Sequence, residues 1–501
     1  MKGIIAIDIG TTSMRAILYD ERGRILHKDQ RDNLPEYFSD GRVEQNPSAW
    51  RTILPAVLSS CASALSSLGL EAVCLSVTAQ RSSVIPVDRE GTPLYPAIMW
   101  QDNRTASLAQ ELSGQNSLVY QKTGLKVSPV FSALKMTWLR RNQPDVWKRT
   151  SKFLGIQDWV LYLLTGRFVT DQSFASRTNL FDLSSLAWDD QLLELFEVER
   201  RMLCEVVPPG AVVGGLRSEM ARASGLPQGL PVVSAGGDQQ CAALGLGLFT
   251  GDRAVCNTGT GSYLIGHSAK PALDPQMRLA CNVSAVPGAY IVEAAVLTSG
   301  TLYRWFRETL AVSTPDTTGW ETLNAEAAAA VPGANGLLLL PHFKGAGAPH
   351  WDTGSKGVFF NLTLSTTRGE MARAILEGIA LEMQASLELI EALCGRVHSV
   401  SVSGGMTRSE LYNQIQADVF ERPIVRYQSD EATSLGAWIA GAVALGLEPS
   451  YLEAFTRATE GSMVSTSYPL AENKSVYEQN RAQVRALYTA LASPEFRAAF
   501  G

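Results

Sequence analysis

The 501-residue sequence is short of several things, and each shortage excludes a class of protein. There is no surplus of positive charge: 43 Lys and Arg stand against 49 Asp and Glu, a formal net charge of −6, which excludes a generally basic binder of nucleic-acid phosphates. Long hydrophobic runs are missing too. The most apolar stretch, Leu435 to Leu447, is glycine-rich and covers about 13 residues, below the roughly 18–20 that span a bilayer, so it reads as a buried helix and no membrane partner is expected. The apolar part of the N-terminus stops at Asp8, too short for a secretion signal, and the expected compartment is the cytoplasm. The 7 cysteines are odd in number and include no C-x-x-C pair, which supports neither a disulfide framework nor a zinc site. None of the 5 histidines falls in an H-E-x-x-H pattern.

Apolar residues and glycine are plentiful. With 46% hydrophobic residues the chain can bury a substantial core, and its length exceeds what one core usually serves, so two large domains are expected. The 42 glycines suit the tight backbone approaches of α/β enzymes. A β-rich run from Gly3 to Ile9, the turn Gly10-Thr11-Thr12-Ser13 and a second run from Met14 to Tyr19 read as a hairpin with a polar tip. Ala254 to Cys256, the turn through Thr258-Gly259-Thr260-Gly261 and Tyr263 to Gly266 repeat that design, so the chain reads as one unit used twice. The expected division is 1–248, 249–460 and a helical tail over 461–501. Helical and strand-like segments alternate in both halves, which predicts mixed α/β layers.

Four segments carry groups suited to chemistry. Asp8 at a strand end, followed by Gly10 and the hydroxyls of Thr11, Thr12 and Ser13, suits a metal–phosphate group, with Arg15 as a charged contact; a plain Gly/Thr hairpin turn is the alternative. The turn at Thr258, Gly259 and Thr260 is its counterpart. A third segment runs from a strand into Gly404-Gly405 ahead of a helix near Ser409, where a base or phosphate can approach backbone N–H groups, though a simple strand-to-helix turn fits as well. No G-x-x-x-x-G-K-[ST] motif is present. In the fourth, Gly236-Gly237 delivers Asp238, Gln239 and Gln240, and a carboxylate there can take the proton of an attacking hydroxyl or merely cap the following helix. Gln80, Arg81 and Trp100 offer hydrogen bonds and a flat face to a polyol, while Asp102 and Arg104 are equally suited to pairing with each other.

In this order these segments resemble the FGGY family of carbohydrate kinases, which includes glycerol kinases and xylulokinases. The resemblance covers about residues 3 to 450 and rests on Asp8-x-Gly-Thr-Thr-Ser-x-Arg15, Trp100-Gln-Asp-x-Arg-Thr105, Ser132-x-x-Lys-x-x-Trp138, Gly237-Asp-Gln-Gln240, Asn257-Thr-Gly-Thr-Gly261, Ala374 to Ile379 and Ser403-Gly-Gly405. It implies two ribonuclease H-like domains, as in actin-like ATPases, flanking a cleft for ATP and Mg²⁺, with the sugar on the N-terminal side and the nucleotide on the C-terminal side. By the same likeness Asp238 is the base and Asp8 organises Mg²⁺. Thr11, Thr12, Ser13, Arg15, Thr258, Gly259 and Thr260 would hold phosphates, and Gly404, Gly405 and Ser409 would line the nucleotide. Gln80, Arg81, Trp100, Asp238 and Gln239 would bind the acceptor.

The acceptor motifs look most like glycerol kinase, yet that family carries a glutamate where this chain has Ser82 and a tyrosine at Val130. Losing two hydrogen-bonding groups should weaken glycerol recognition and leave room for a longer substrate. The expected reaction is phosphorylation of a terminal hydroxyl of a small sugar or polyol, most simply a pentulose or pentitol; glycerol is the alternative, and an actin-like ATPase with no sugar acceptor is the alternative of another class. A homo-oligomer, such as a dimer, is the base-rate expectation for an enzyme of this kind.

Overall fold

The computed structural model describes residues 2–310, 319–427 and 431–500. They form two units: one comprises residues 1–249, 268–291 and 431–461, the other 250–267, 292–430 and 462–501.

The first unit is built on a six-stranded sheet. Strand Lys2–Ile9, buried but for Lys2 and apolar but for Lys2 and Asp8, pairs antiparallel with Ser13–Asp20 on one side and parallel with Glu71–Ala79 on the other. Ser13–Asp20 continues antiparallel into Ile25–Asp32, Glu71–Ala79 pairs parallel with Pro231–Gly237, and Ala211–Gly215 closes that edge antiparallel. Helix Pro47–Leu68 starts where the Asn46 side chain accepts the Ser48 N–H, and ends at Gly69 in the left-handed region at φ 63°. Its Trp50, Leu54, Val57, Leu58, Cys61 and Leu65 enter the core that covers the sheet. The segment Leu435 to Leu447, read as a buried helix, lies in helix Ala432–Ala444 as far as Ala444 and is buried as far as Ala442.

In the second unit the same succession recurs. Arg253–Thr258 pairs antiparallel with Ser262–Ser268 and parallel with Ser399–Ser403, which pairs parallel with Ile424–Tyr427, and Met463–Ser467 closes the edge antiparallel. The repeated hairpin seen in the sequence is therefore a repeated sheet design, since in both units the hairpin's first strand has a parallel neighbour on its other side. The 27-residue helix Arg368–Cys394 begins with a capping box between Thr367 and Glu370. The segment after residue 460, read as a helical tail, opens with the edge strand before helices Lys474–Leu491 and Pro494–Phe500. Tyr477 ties the first of these helices down: it is buried, and its hydroxyl donates to Glu377 Oε1 at 2.9 Å.

All seven cysteines are free. Among the described residues no helix is long and apolar enough to cross a membrane.

Candidate active site

In the first unit, Asp8 sits one residue from the end of its strand and is 1% exposed. Antiparallel register places it opposite Arg15, whose Nη2 bonds Asp8 Oδ2 while Nη1 reaches Glu431 Oε2 at 3.0 Å. The Lys28 ammonium bonds the other oxygen of Glu431. Burial is the larger influence on Asp8 and pushes its carboxyl pKa up; the guanidinium of Arg15 opposes it.

The turn that follows is held from below. Gly10 N–H donates to Ser13 C=O at 2.9 Å, and the Gln45 side-chain amide donates to Thr11 C=O at 2.7 Å. The Thr11 hydroxyl lies 3.3 Å from Gln80 Oε1 and accepts the Trp100 indole N–H at 3.2 Å, while Gln80 Nε2 donates to Gly10 C=O at 3.3 Å. Three expected site residues thus meet at Thr11, whereas Thr12 is exposed.

Strand Pro231–Gly237 hands the chain to helix Asp238–Gly245 with Asp238 as its first residue, where the helix dipole favours a carboxylate. Asp238 Oδ1 accepts the Gln239 backbone N–H at 2.8 Å and lies 3.5 Å from Arg81 Nε. The same guanidinium donates through Nη1 to Gln240 Oε1 at 3.1 Å. A Cβ at Gly237 would stand 2.6 Å from Arg81 Cδ and 2.5 Å from Gln240 Oε1, so adding one would displace this pair of side chains. Gln239 Oε1 is buried with no hydrogen-bond partner among the described residues, an acceptor waiting for a donor.

Ser82, next to Arg81, is buried in the left-handed region at φ 68°, and its hydroxyl donates to Arg177 C=O at 3.3 Å. Behind this loop lies a small cavity lined by Ser82, Ser132, Asp158, Thr170 and Cys204 among others. Burial raises the Asp158 carboxyl to about 7. Asp102 and Arg104 are structural: the guanidinium donates to both oxygens of Asp102, at 2.8 and 2.7 Å, and to Glu44 at 2.6 Å, pinning the chain just beyond Trp100.

The second unit brings its two glycine turns together. Gly404 takes φ 97°, and a Cβ on it would stand 2.3 Å from Thr258 C=O; a Cβ on Gly300 would stand 2.4 Å from Gly259 C=O. By contrast a Cβ on Gly259 or Gly405 would meet nothing within 4 Å, so these two present open backbone, and Gly259 and Thr260 are exposed. The Thr258 hydroxyl is turned inward and accepts from Ser262 Oγ at 3.3 Å. Ser409 caps helix Glu410–Phe420, its hydroxyl accepting the Tyr412 N–H at 3.4 Å.

Among the described residues no group of three or more His, Cys, Asp or Glu could hold a metal ion. The buried Asp8 carboxylate beside a glycine–threonine turn suits Mg²⁺, which binds through one or two carboxylates and the phosphates of a substrate. Sequence reasoning marked Asp8, Asp238 and both turns but missed Glu431, Lys28, Gln45 and Gly300. Gln240 stood within a marked motif, and its glycine neighbour was the signal for its close contact with Arg81.

Comparison with known proteins identifies the family. The family model for the N-terminal domain of the FGGY family of carbohydrate kinases matches residues 3–245, and that for the C-terminal domain matches residues 254–445. The chain is 35% identical over 480 residues to a glycerol kinase of Alkalilimnicola ehrlichii, covering 91% of this chain and 93% of that one. It is 30% identical over 484 residues to a xylulose kinase of Lactococcus lactis, covering 96% and 95%. The crystal structure of xylulose kinase from Rhodospirillum rubrum superposes with a TM-score of 0.93 at 27% identity, covering 99% of this chain and 100% of that one. With both halves matched by family models and near-complete coverage of these relatives, this chain belongs to the FGGY family of carbohydrate kinases, ATP-dependent phosphotransferases with a sugar or polyol alcohol as acceptor.

Proposed function

We propose that this kinase phosphorylates a terminal hydroxyl of a pentulose or pentitol, with Asp238 as the base. The observation that carries the reading is the Asp238 carboxylate, 27% exposed, with Arg81 beside it and the unpartnered Gln239 amide oxygen on the next residue. Arg81, 3.5 Å away, orients the carboxylate, which can accept the proton of an attacking hydroxyl. Gln239 Oε1 is suited to accept from a second substrate hydroxyl. Trp100, anchored through Thr11, offers a face to the carbon chain. On this reading the first unit is the acceptor side and the second the nucleotide side. The open backbone at Gly259 and Gly405 and the exposed Thr260 would hold the nucleotide phosphates, with Gly404 closing the turn against Thr258; Thr258 would serve through its backbone, and Ser409 would support the turn as a cap. Thr12, Ser13 and Arg15 would meet phosphate from the first unit, and Asp8 would hold Mg²⁺. The ion neutralises charge on the transferring phosphoryl group when bound. Positioning and charge stabilisation supply most of the rate, and proton removal by Asp238 is the smaller part.

The substrate class rests on Ser82 and Val130. Ser82 presents no carboxylate, and its hydroxyl is engaged by Arg177 C=O, so two groups that glycerol kinases use are missing here. Glycerol is the second reading, favoured by the 35% identity to a protein named glycerol kinase.

The test is Mg-ATP-dependent ADP release with glycerol, tetritols, pentitols, pentuloses and hexuloses, beside an Asp238→Ala control. A signal with a five-carbon acceptor that the control loses supports the reading. Activity with glycerol alone moves the substrate to the second reading, and acceptor-independent turnover that survives in the control returns the case to an actin-like ATPase.

A further inference from the structure

Four charged groups meet at the base of the first turn: Asp8, Arg15, Glu431 and Lys28, two carboxylates and two cations in balance. Arg15 stands in the middle, one guanidinium nitrogen on each carboxylate. The Asp8 side chain is 2% exposed and that of Glu431 14%, so the bonds are made where water competes weakly.

We propose that Glu431 is a positioning residue which holds Arg15 so that Asp8 can be given up to a divalent cation when Mg-nucleotide binds. The inference rests on the reading of Asp8 as the carboxylate on the metal side. As it stands, Arg15 occupies Asp8 Oδ2, and a charge-assisted bond to that oxygen competes directly with a cation for it. If Asp8 were the sole carboxylate partner of Arg15, a cation could gain the oxygen only by leaving a partly buried guanidinium without a counter-charge, which is strongly unfavourable. Glu431 removes that obstacle. It keeps Arg15 paired after Asp8 is released: the remaining set of Arg15, Glu431 and Lys28 holds one carboxylate that bonds Arg15 through one oxygen and Lys28 through the other. Among the described residues Tyr19 is a further ionisable neighbour, and its hydroxyl pairs with Ser434 Oγ at 2.7 Å. Glu431 directly precedes helix Ala432–Ala444, which packs closely: a Cβ added at Gly436 of that helix would stand 1.9 Å from Cys241 C=O.

The test is calorimetric binding of Mg-ADP and of metal-free ADP to the full chain, for the natural protein and for Glu431→Gln, Glu431→Asp and Asp8→Asn. Glu431→Gln is expected to weaken Mg-ADP binding by about tenfold while metal-free ADP changes by less than about twofold. Glu431→Asp, which keeps the charge, is expected to recover part of the loss, and the thermal midpoint of unliganded Glu431→Gln to stay within a few degrees of the natural protein's. Unchanged Mg-ADP affinity in Glu431→Gln overturns the inference, and so does an equal loss for both ligands, which is what a merely structural role would give. Asp8→Asn separates the two levels: if Mg²⁺ still enhances ADP binding in that variant as in the natural protein, the reading of Asp8 itself has failed and the role of Glu431 falls with it.

Discussion

Arg81 reaches Asp238 across 3.5 Å while its other arm holds Gln240, so one guanidinium fixes the first and third residues of the helix that presents the carboxylate. Replacing Asp238 by Asn keeps the shape and removes the proposed base. Steady-state kinetics should show kcat lower by about 10²–10⁴-fold with the KM for Mg-ATP nearly unchanged. A drop in kcat below tenfold would remove Asp238 from the role of base.

The glycines of the second unit divide by what surrounds them. Gly404→Ala puts a methyl 2.3 Å from Thr258 C=O at a φ of 97°, and should cost on the order of 1–3 kcal/mol and lower the melting temperature by several degrees. Gly405→Ala and Gly259→Ala meet open space, so they should melt near the natural protein while raising the KM for ATP. Scanning calorimetry and nucleotide titration of the three variants check both halves of this contrast.

Asp158 gives a pH signature. Its side chain accepts the Gly155 N–H at 2.7 Å, and burial raises its carboxyl to about 7 in the folded chain, against roughly 3.9 for an unperturbed aspartate. The folded state therefore holds a proton that the unfolded state has released between about pH 4 and 7. Its contribution to stability is fully present below pH 4 and is lost as the pH rises through 7. Asp158→Asn keeps an acceptor for Gly155 and removes the titration. Denaturant unfolding at pH 5 and pH 8 should differ less in this variant than in the natural chain, by about 2–4 kcal/mol.

The double substitution Ser82→Glu with Val130→Tyr restores the residue types that the sequence lacks relative to glycerol kinases. It should raise kcat/KM for glycerol by tenfold or more, on the scale of about 1–3 kcal/mol for a gained polar contact, and lower it for five-carbon acceptors. No gain with glycerol would mean that these two positions do not set acceptor choice.

What the sequence made legible was local. A strand carrying Asp8 near its end, a glycine–threonine turn and a strand leading through Gly236-Gly237 to Asp238 are each written in adjacent residues, and both strands lie in the first unit's sheet. Arg15 and Glu431 are 416 positions apart, and no periodicity joins them. The inward turn of the Thr258 hydroxyl was hidden for a similar reason, since its partner Ser262 is across the hairpin and a Thr in a Gly-rich tip reads the same whichever way it points. Met463–Ser467 is a short strand whose place is set by pairing with Ile424–Tyr427, and a helical reading of the tail could not anticipate it.

The approach of helices Asp238–Gly245 and Ala432–Ala444 carries a further consequence. A Cβ at Gly245 would stand 2.0 Å from Ala432 C=O, and one at Gly436 would stand 1.9 Å from Cys241 C=O, so the two backbones touch where neither position has room for a methyl group. Asp238 opens one helix and Glu431 directly precedes the other. The seam thus yokes the two acidic residues as a single mechanical part, and in a saturation scan Gly245 and Gly436 should rank among the least replaceable positions of the chain although neither bears a functional group.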